Sequence, residues 1–135
     1  MKQELQNKLF EKYPEIFIQK DWSMQQTCMC WGICVGDGWY HILDTLCHSI
    51  QHRINSKSET DHPVEQVEAV QVKEKWGGLR FYYEGGDDYI AGLVDFAESL
   101  SMTSCIQCGK PTEQTVRSWM KICPTCEKEL DKSSE

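Results

Sequence analysis

The stretch Val72-Lys-Glu-Lys-Trp-Gly-Gly-Leu-Arg-Phe-Tyr-Tyr-Glu84 decides the fold class of this 135-residue chain. Residues 64–76 alternate, with Val70, Val72 and Trp76 on one side and Lys73 and Lys75 on the other. Gly77-Gly78 is a two-residue turn signal, and residues 79–84 return with Leu79, Phe81 and Tyr83 on the apolar side. This spacing predicts an antiparallel hairpin in which Trp76 faces Leu79, Val72 faces Tyr83 and Lys75 lies opposite Arg80. Directly opposed like charges destabilise a hairpin, so Lys75 and Arg80, with Lys73 and Tyr82 beside them, require a compensating anion. An internal carboxylate is the simpler source in a chain with 21 acidic residues. The other source is external, an acidic partner surface or a phosphate.

Toward the C-terminus, Gly85-Gly86-Asp87-Asp88 closes the strand and caps a helix over 89–102, whose Tyr89, Leu93, Phe96, Ala97 and Leu100 are expected to cover the hairpin's apolar face. Toward the N-terminus, residues 1–13 carry Leu5, Leu9 and Tyr13 at helical spacing until Pro14 ends the pattern. Residues 15–35 read as a loop followed by a strand. Gly36-Asp37-Gly38 breaks that strand, and Asp37 is placed to cap a helix over 39–55. There Leu43, Leu46, Cys47, Ile50 and Ile54 share one face, while His41, Asp44, His48 and His52 share the other. With no third convergent ligand, the histidine face reads as a solvated surface rather than a metal site. Trp31 and Trp76 read as core residues.

Beyond residue 102 the character of the chain changes. Cys105-Ile-Gln-Cys108 and Cys123-Pro-Thr-Cys126 are two Cys-x-x-Cys pairs separated by fourteen residues, a complete tetrahedral ligand set for a structural zinc. Gly109 follows the first knuckle, where a positive φ is often needed. Between the knuckles, Val116, Trp119 and Ile122 suffice for a short hairpin but not for a core, so metal must replace the missing burial. A short helix after Cys126 makes the module a ribbon or a treble-clef-like unit. Two disulfides or a redox pair fit less well, because no leader sequence and no strand-helix redox pattern accompany the cysteines. Cys28, Cys30, Cys34 and Cys47 are irregularly spaced and read as buried thiols, with a second metal site or a reactive thiol as the alternative.

The hydrophobic content of 40% suits one modest α+β domain, residues 1–102, followed by a zinc-binding module, residues 103–135. The expected architecture is helices packed on a small antiparallel sheet. No segment has the apolar length of a membrane span, and eight cysteines without a leader point to a cytoplasmic protein. A formal charge of −7 disfavours broad binding to a phosphate backbone.

Three runs together, Thr27-Cys-Met-Cys-Trp-Gly-Ile-Cys-Val-Gly-Asp-Gly-Trp-Tyr40, Val72 to Tyr82, and the cysteine pairs around Trp119, resemble a family of small bacteriophage and prophage proteins. The resemblance covers most of the chain after Pro14. It implies an accessory protein acting in the host cytoplasm and transfers no reaction or catalytic residue. The expected function is a zinc-containing protein-binding module, an inhibitor or adaptor of a host or phage protein, with Lys73, Lys75, Arg80 and Tyr82 as the contact face. One alternative is a nucleic-acid-binding regulator using that face and the ribbon. The other is an enzyme or small-molecule binder near Asp37, the histidine-bearing helix and the hairpin.

Overall fold

In the computed structural model, residues 1–113, 115–116 and 120–133 are described. The expected hairpin forms two strands of a three-stranded sheet, its first strand central and its second at an edge. Strand β2, Glu68–Lys75, pairs antiparallel with β3, Gly78–Glu84, and a two-residue strand β1, Ile33–Cys34, lies parallel to β2 on its other side, in the order β1-β2-β3. The sheet is therefore mixed, and the fold class is α+β. Helix α1, Gln3–Lys12, precedes it; α2, Tyr40–Lys57, joins β1 to β2; and α3, Asp88–Ser101, follows β3. Beyond them lie a small hairpin, β4, Thr115–Val116, with β5, Met120–Lys121, and a last helix α4, Pro124–Ser133. Trp119 lies outside the described residues. No helix among those described is long and apolar enough to cross a membrane.

The hairpin register differs from the expectation by one turn position. The central turn residues are Trp76 and Gly77, with φ of 56° and 84°, as a tight turn with two positive φ angles demands. Glu74 holds the turn by accepting from the Gly77 N–H at 2.7 Å. Lys75 then pairs with Gly78, Glu74 with Leu79, Lys73 with Arg80 and Val72 with Phe81. The like-charge pair is therefore Lys73 and Arg80, and Lys75 does not oppose Arg80. Gly78 belongs to the strand, where a Cβ would come within 2.6 Å of the Met102 sulfur. An irregularity between Ala69 and Gln71 restores a register in which both Ala69 and Val72 are buried. Trp76, at the turn, is 60% exposed and Trp31 is 65% exposed, so neither is a core residue. Among the described residues Trp39 is the buried tryptophan.

Helix α3 starts where Asp87 caps it, the carboxylate accepting from the Ile90 N–H at 3.1 Å. Its buried face is Ile90, Val94, Ala97 and Ser101, about a quarter turn from the predicted stripe. The cause is the free edge of β3. Ser101 Oγ accepts from the Leu79 N–H at 2.8 Å and Glu98 accepts from the Phe81 N–H at 3.0 Å, so α3 leans on the strand edge and satisfies donors that no strand covers among the described residues. Tyr89, Phe96 and Leu100 consequently turn outward.

Helix α2 buries Ile42, Leu43, Leu46, Cys47, Ile50 and Ile54, as its periodicity requires. Asp37 does not cap it. A 3-10 turn, Asp37–Trp39, leads into α2, and the Asp37 carboxylate accepts from the Lys2 backbone N–H at 2.8 Å, at the start of α1. Tyr13 and Lys12 at the end of α1 donate to Asp44 on α2, at 2.7 and 2.6 Å. Leu9, Ile16, Phe17, Trp39, Leu43, Val72, Leu79, Phe81 and Ile90 belong to one buried cluster that unites all of these elements.

Candidate metal centre

Each knuckle is a turn whose amides converge on sulfur. In the first, the Cys105 N–H donates to Lys110 O at 2.8 Å and the Gly109 N–H to Cys105 O at 2.9 Å, with Gly109 at φ +83°. The second knuckle runs into α4 with Pro124 in its first turn, where a missing N–H costs nothing. The Cys123 N–H points at Cys105 Sγ at 3.3 Å, and the Cys126 N–H at Cys123 Sγ at 3.5 Å. Ile106 donates to Lys121 O at 2.7 Å and ties the first knuckle to the second.

The four sulfurs of Cys105, Cys108, Cys123 and Cys126 lie within 4.8 Å of one another, three of the residues buried and Cys108 exposed. Cys108 and Cys123 sulfurs are 3.7 Å apart, and all four thiols are free. That separation is too long for a disulfide and close to the ~3.8 Å edge of a tetrahedron with metal–sulfur bonds of about 2.3 Å. The charge state of the donors fits as well. Burial opposes ionisation of Cys105, but the N–H groups of Cys123, Cys108 and Gln107 bring its thiol down to about 6. Burial and the neighbouring thiols push Cys126 up, and burial pushes Cys108 up. The backbone favours one thiolate, and ionising the thiols beside it would call for a cation. The cluster could thus hold a metal ion, and among the described residues Ile122 and Leu130 are the apolar side chains packed with it.

The module sits on a surface made by two glycines. A Cβ at Gly36 would lie 2.1 Å from Ile106 O, and one at Gly38 would lie 2.3 Å from Cys105 O. The Gly38 N–H donates to Ile106 O at 2.9 Å, and the Trp39 indole N–H reaches Ser104 O at 3.0 Å. Gly36-Asp37-Gly38 is therefore the seat of the first knuckle, a role its sequence shared with any glycine-rich break. The signal available was the pair of glycines around one residue, which marks a close backbone approach without saying to what.

The other predicted residues occupy separate surfaces. Lys73, Arg80, Lys75 and Tyr82 lie on the sheet face opposite the buried Val72, Leu79 and Phe81, with Lys73 Nζ 5.7 Å from the Tyr82 ring centre. Their cations make no ion pair among the described residues. His41, His48 and His52 are exposed on α2, the last two rings near-parallel with centres 6.3 Å apart. Of the remaining cysteines only Cys47 is buried; Cys28 and Cys34 are exposed and Cys30 is half-buried. Among the described residues these four join no metal-ligand cluster. No family model matches this chain, and no match is found among curated proteins or solved structures.

Proposed function

We propose that this protein is a zinc-stapled protein-binding module whose basic sheet face docks on an acidic surface of a partner. The observation that carries the reading is the pair Lys73 and Arg80, directly opposed across β2 and β3 with no carboxylate in ion-pair range among the described residues, on a chain of net charge −7. An opposed like-charge pair left without an internal counter-ion is a cost to the fold that an acidic partner offsets on binding. Cys34 lies in register with Lys73 on the neighbouring strand, so the row crosses all three strands, while Lys75 and Tyr82 extend it. At the open end of the same two strands Glu68 opposes Glu84, so the ribbon is polarised and gives the partner an orientation.

In this reading residues 1–102 form the binding unit and residues 103–135 the stapled module, with zinc held by Cys105, Cys108, Cys123 and Cys126. A four-thiolate zinc with no open position supplies folding energy rather than a nucleophile, so the metal is structural. The resemblance to small phage proteins supports a host protein as the partner, with the chain acting as inhibitor or adaptor in the host cytoplasm.

The test begins with affinity capture and mass spectrometry to find a stoichiometric partner. The Lys73→Gln/Arg80→Gln double variant should then melt at the same temperature as wild type or higher, and bind that partner more weakly, with the loss diminishing at high salt. A stable double variant with undiminished affinity removes this face from the functional account. Salt-dependent retention of nucleic acid in place of a protein would favour the regulator reading.

A further inference from the structure

The four cysteines of the metal centre differ in how solvent reaches them. Cys105, Cys123 and Cys126 are buried, whereas Cys108 is exposed. The first knuckle meets the body of the protein through its backbone, since a Cβ at Gly38 would lie 2.8 Å from the Cys108 N. The Cys108 side chain therefore stays at the surface while the module is seated. Behind it, 3.7 Å from its sulfur, is Cys123 Sγ, a buried sulfur of the other knuckle. A solute that reaches the cluster from solvent meets Cys108 first and finds a second sulfur within reach.

This arrangement matters because a metal ligand must be deprotonated, so each coordinating cysteine carries the charge that makes sulfur a nucleophile. Exposure then selects which of them an oxidant attacks. The cysteines near β1 are differently placed. Cys30 and Cys34 direct their thiols at backbone carbonyls, Thr27 O at 3.5 Å and Trp31 O at 3.4 Å, rather than at another sulfur.

We propose that Cys108 is a peroxide-modification site and Cys123 its resolving thiol, so that oxidation breaks the ligand set and frees the module. The inference rests on the reading of the cluster as a zinc site. The Cys108 thiolate attacks hydrogen peroxide: an S–O bond forms, the O–O bond breaks and hydroxide leaves. Sulfur is thereby oxidised by two electrons to a sulfenic acid, and the peroxide is reduced. The Cys123 thiolate then attacks that sulfur; an S–S bond forms, the S–O bond breaks and a second hydroxide leaves. Both hydroxides take protons from solvent, so one peroxide and two protons yield one disulfide and two waters. Cys105 and Cys126 remain as the only two ligands of a site that needs four, and zinc departs. The module then loses its order while the large buried cluster of residues 1–102 keeps its own. A dithiol reductant with added zinc reverses the change.

Hydrogen peroxide titration of the zinc-loaded full chain tests this, in wild type and in a Cys28→Ser/Cys30→Ser/Cys34→Ser variant that keeps all four ligands. Both should release zinc to a chromogenic chelator, the variant at about one zinc per peroxide consumed. After quenching by alkylation, mass spectrometry should place the first disulfide between Cys108 and Cys123, with Cys105 and Cys126 alkylated. A dithiol and zinc should restore both metal content and hydrogen-exchange protection in residues 103–133. The proposal is overturned by release without a disulfide, by a first disulfide joining any other pair, or by release that disappears in the triple variant. Zinc retained after peroxide treatment overturns this inference alone, whereas a chain that carries no zinc before treatment overturns the zinc reading with it.

Discussion

Among the described residues, twenty-two buried apolar side chains gather into one cluster around Trp39 and Leu43, whereas the buried cluster of the cysteine module has four members, three of them cysteines. The first region can be held by burial alone, since each fully buried aliphatic or aromatic side chain contributes about 1.5 to 3 kcal/mol. Among its described residues the second has Ile122 and a partly buried Leu130 packed with the cysteines, to set against the conformational entropy of ordering the module. The difference teaches that the two regions call on different chemistry, one on side-chain volume and the other on four convergent thiols that could hold a metal ion, even though Gly36 and Gly38 bring them into backbone contact.

The sharpest way to break this comparison is to remove one ligand. Cys123→Ser should abolish hydrogen-exchange protection across residues 103–133 while β2, β3 and α2 stay protected. Loss of protection throughout the chain would mean that the large cluster is not self-sufficient.

Next in size is truncation of the large cluster. Phe81→Ala should cost about 3 to 5 kcal/mol in thermal or denaturant unfolding, whereas Phe96→Ala should stay within about 0.5 kcal/mol, because Phe96 lies outside the core. Equal losses at the two positions would restore the predicted helix face and contradict the observed one.

The contact between the regions gives a smaller effect. In Gly38→Ala the new Cβ meets the backbone carbonyl of Cys105, which no side-chain rotation relieves. The knuckle should lift from its seat at a cost of about 1 to 3 kcal/mol, visible as faster exchange at Ile106 and Gly109 with metal content unchanged. Identical exchange in wild type and variant would show that the seat tolerates displacement.

The smallest effect is that of pH on the large cluster. Burial raises the Asp87 carboxyl, but the Ile90 N–H and the Arg53 guanidinium outweigh it and hold the group below the usual carboxylate range. Asp44 is likewise burdened by burial and held low by Lys12 and Tyr13. A depressed carboxyl stabilises the fold above its unfolded value near 4, and that contribution is lost as pH falls through the lower folded value. Melting temperature should therefore fall as pH drops below about 4, and less steeply in Asp44→Asn or Asp87→Asn. Parallel pH profiles for variant and wild type would count against these links.

Much of this was legible in the residues. The cysteine spacing located the cluster because ligand geometry is local. The apolar period of α2 gave its buried face, and Asp87 announced the start of α3. The hairpin was visible, but its register was not. Gly77-Gly78 is the stronger turn signal in isolation, while the core needs Leu79 and Phe81 inward opposite Val72, and this places Trp76 in a positive-φ position that a tryptophan seldom takes. The face of α3 was misread because Ser101 and Glu98 are polar, and hydrophobic periodicity has no means of showing that a strand edge needs acceptors. The seat at Gly36 and Gly38 joins segments some seventy residues apart, and such proximity leaves no mark on local pattern.

Metal content measured against the four thiols tests the central claim most directly. Protein purified without added metal should contain one zinc per chain by elemental analysis and native mass spectrometry. A strong chelator should remove it with loss of protection in residues 103–133, and restored zinc should return both. Substoichiometric metal in folded protein, or a cysteine module that keeps its protection after chelation, would contradict the account.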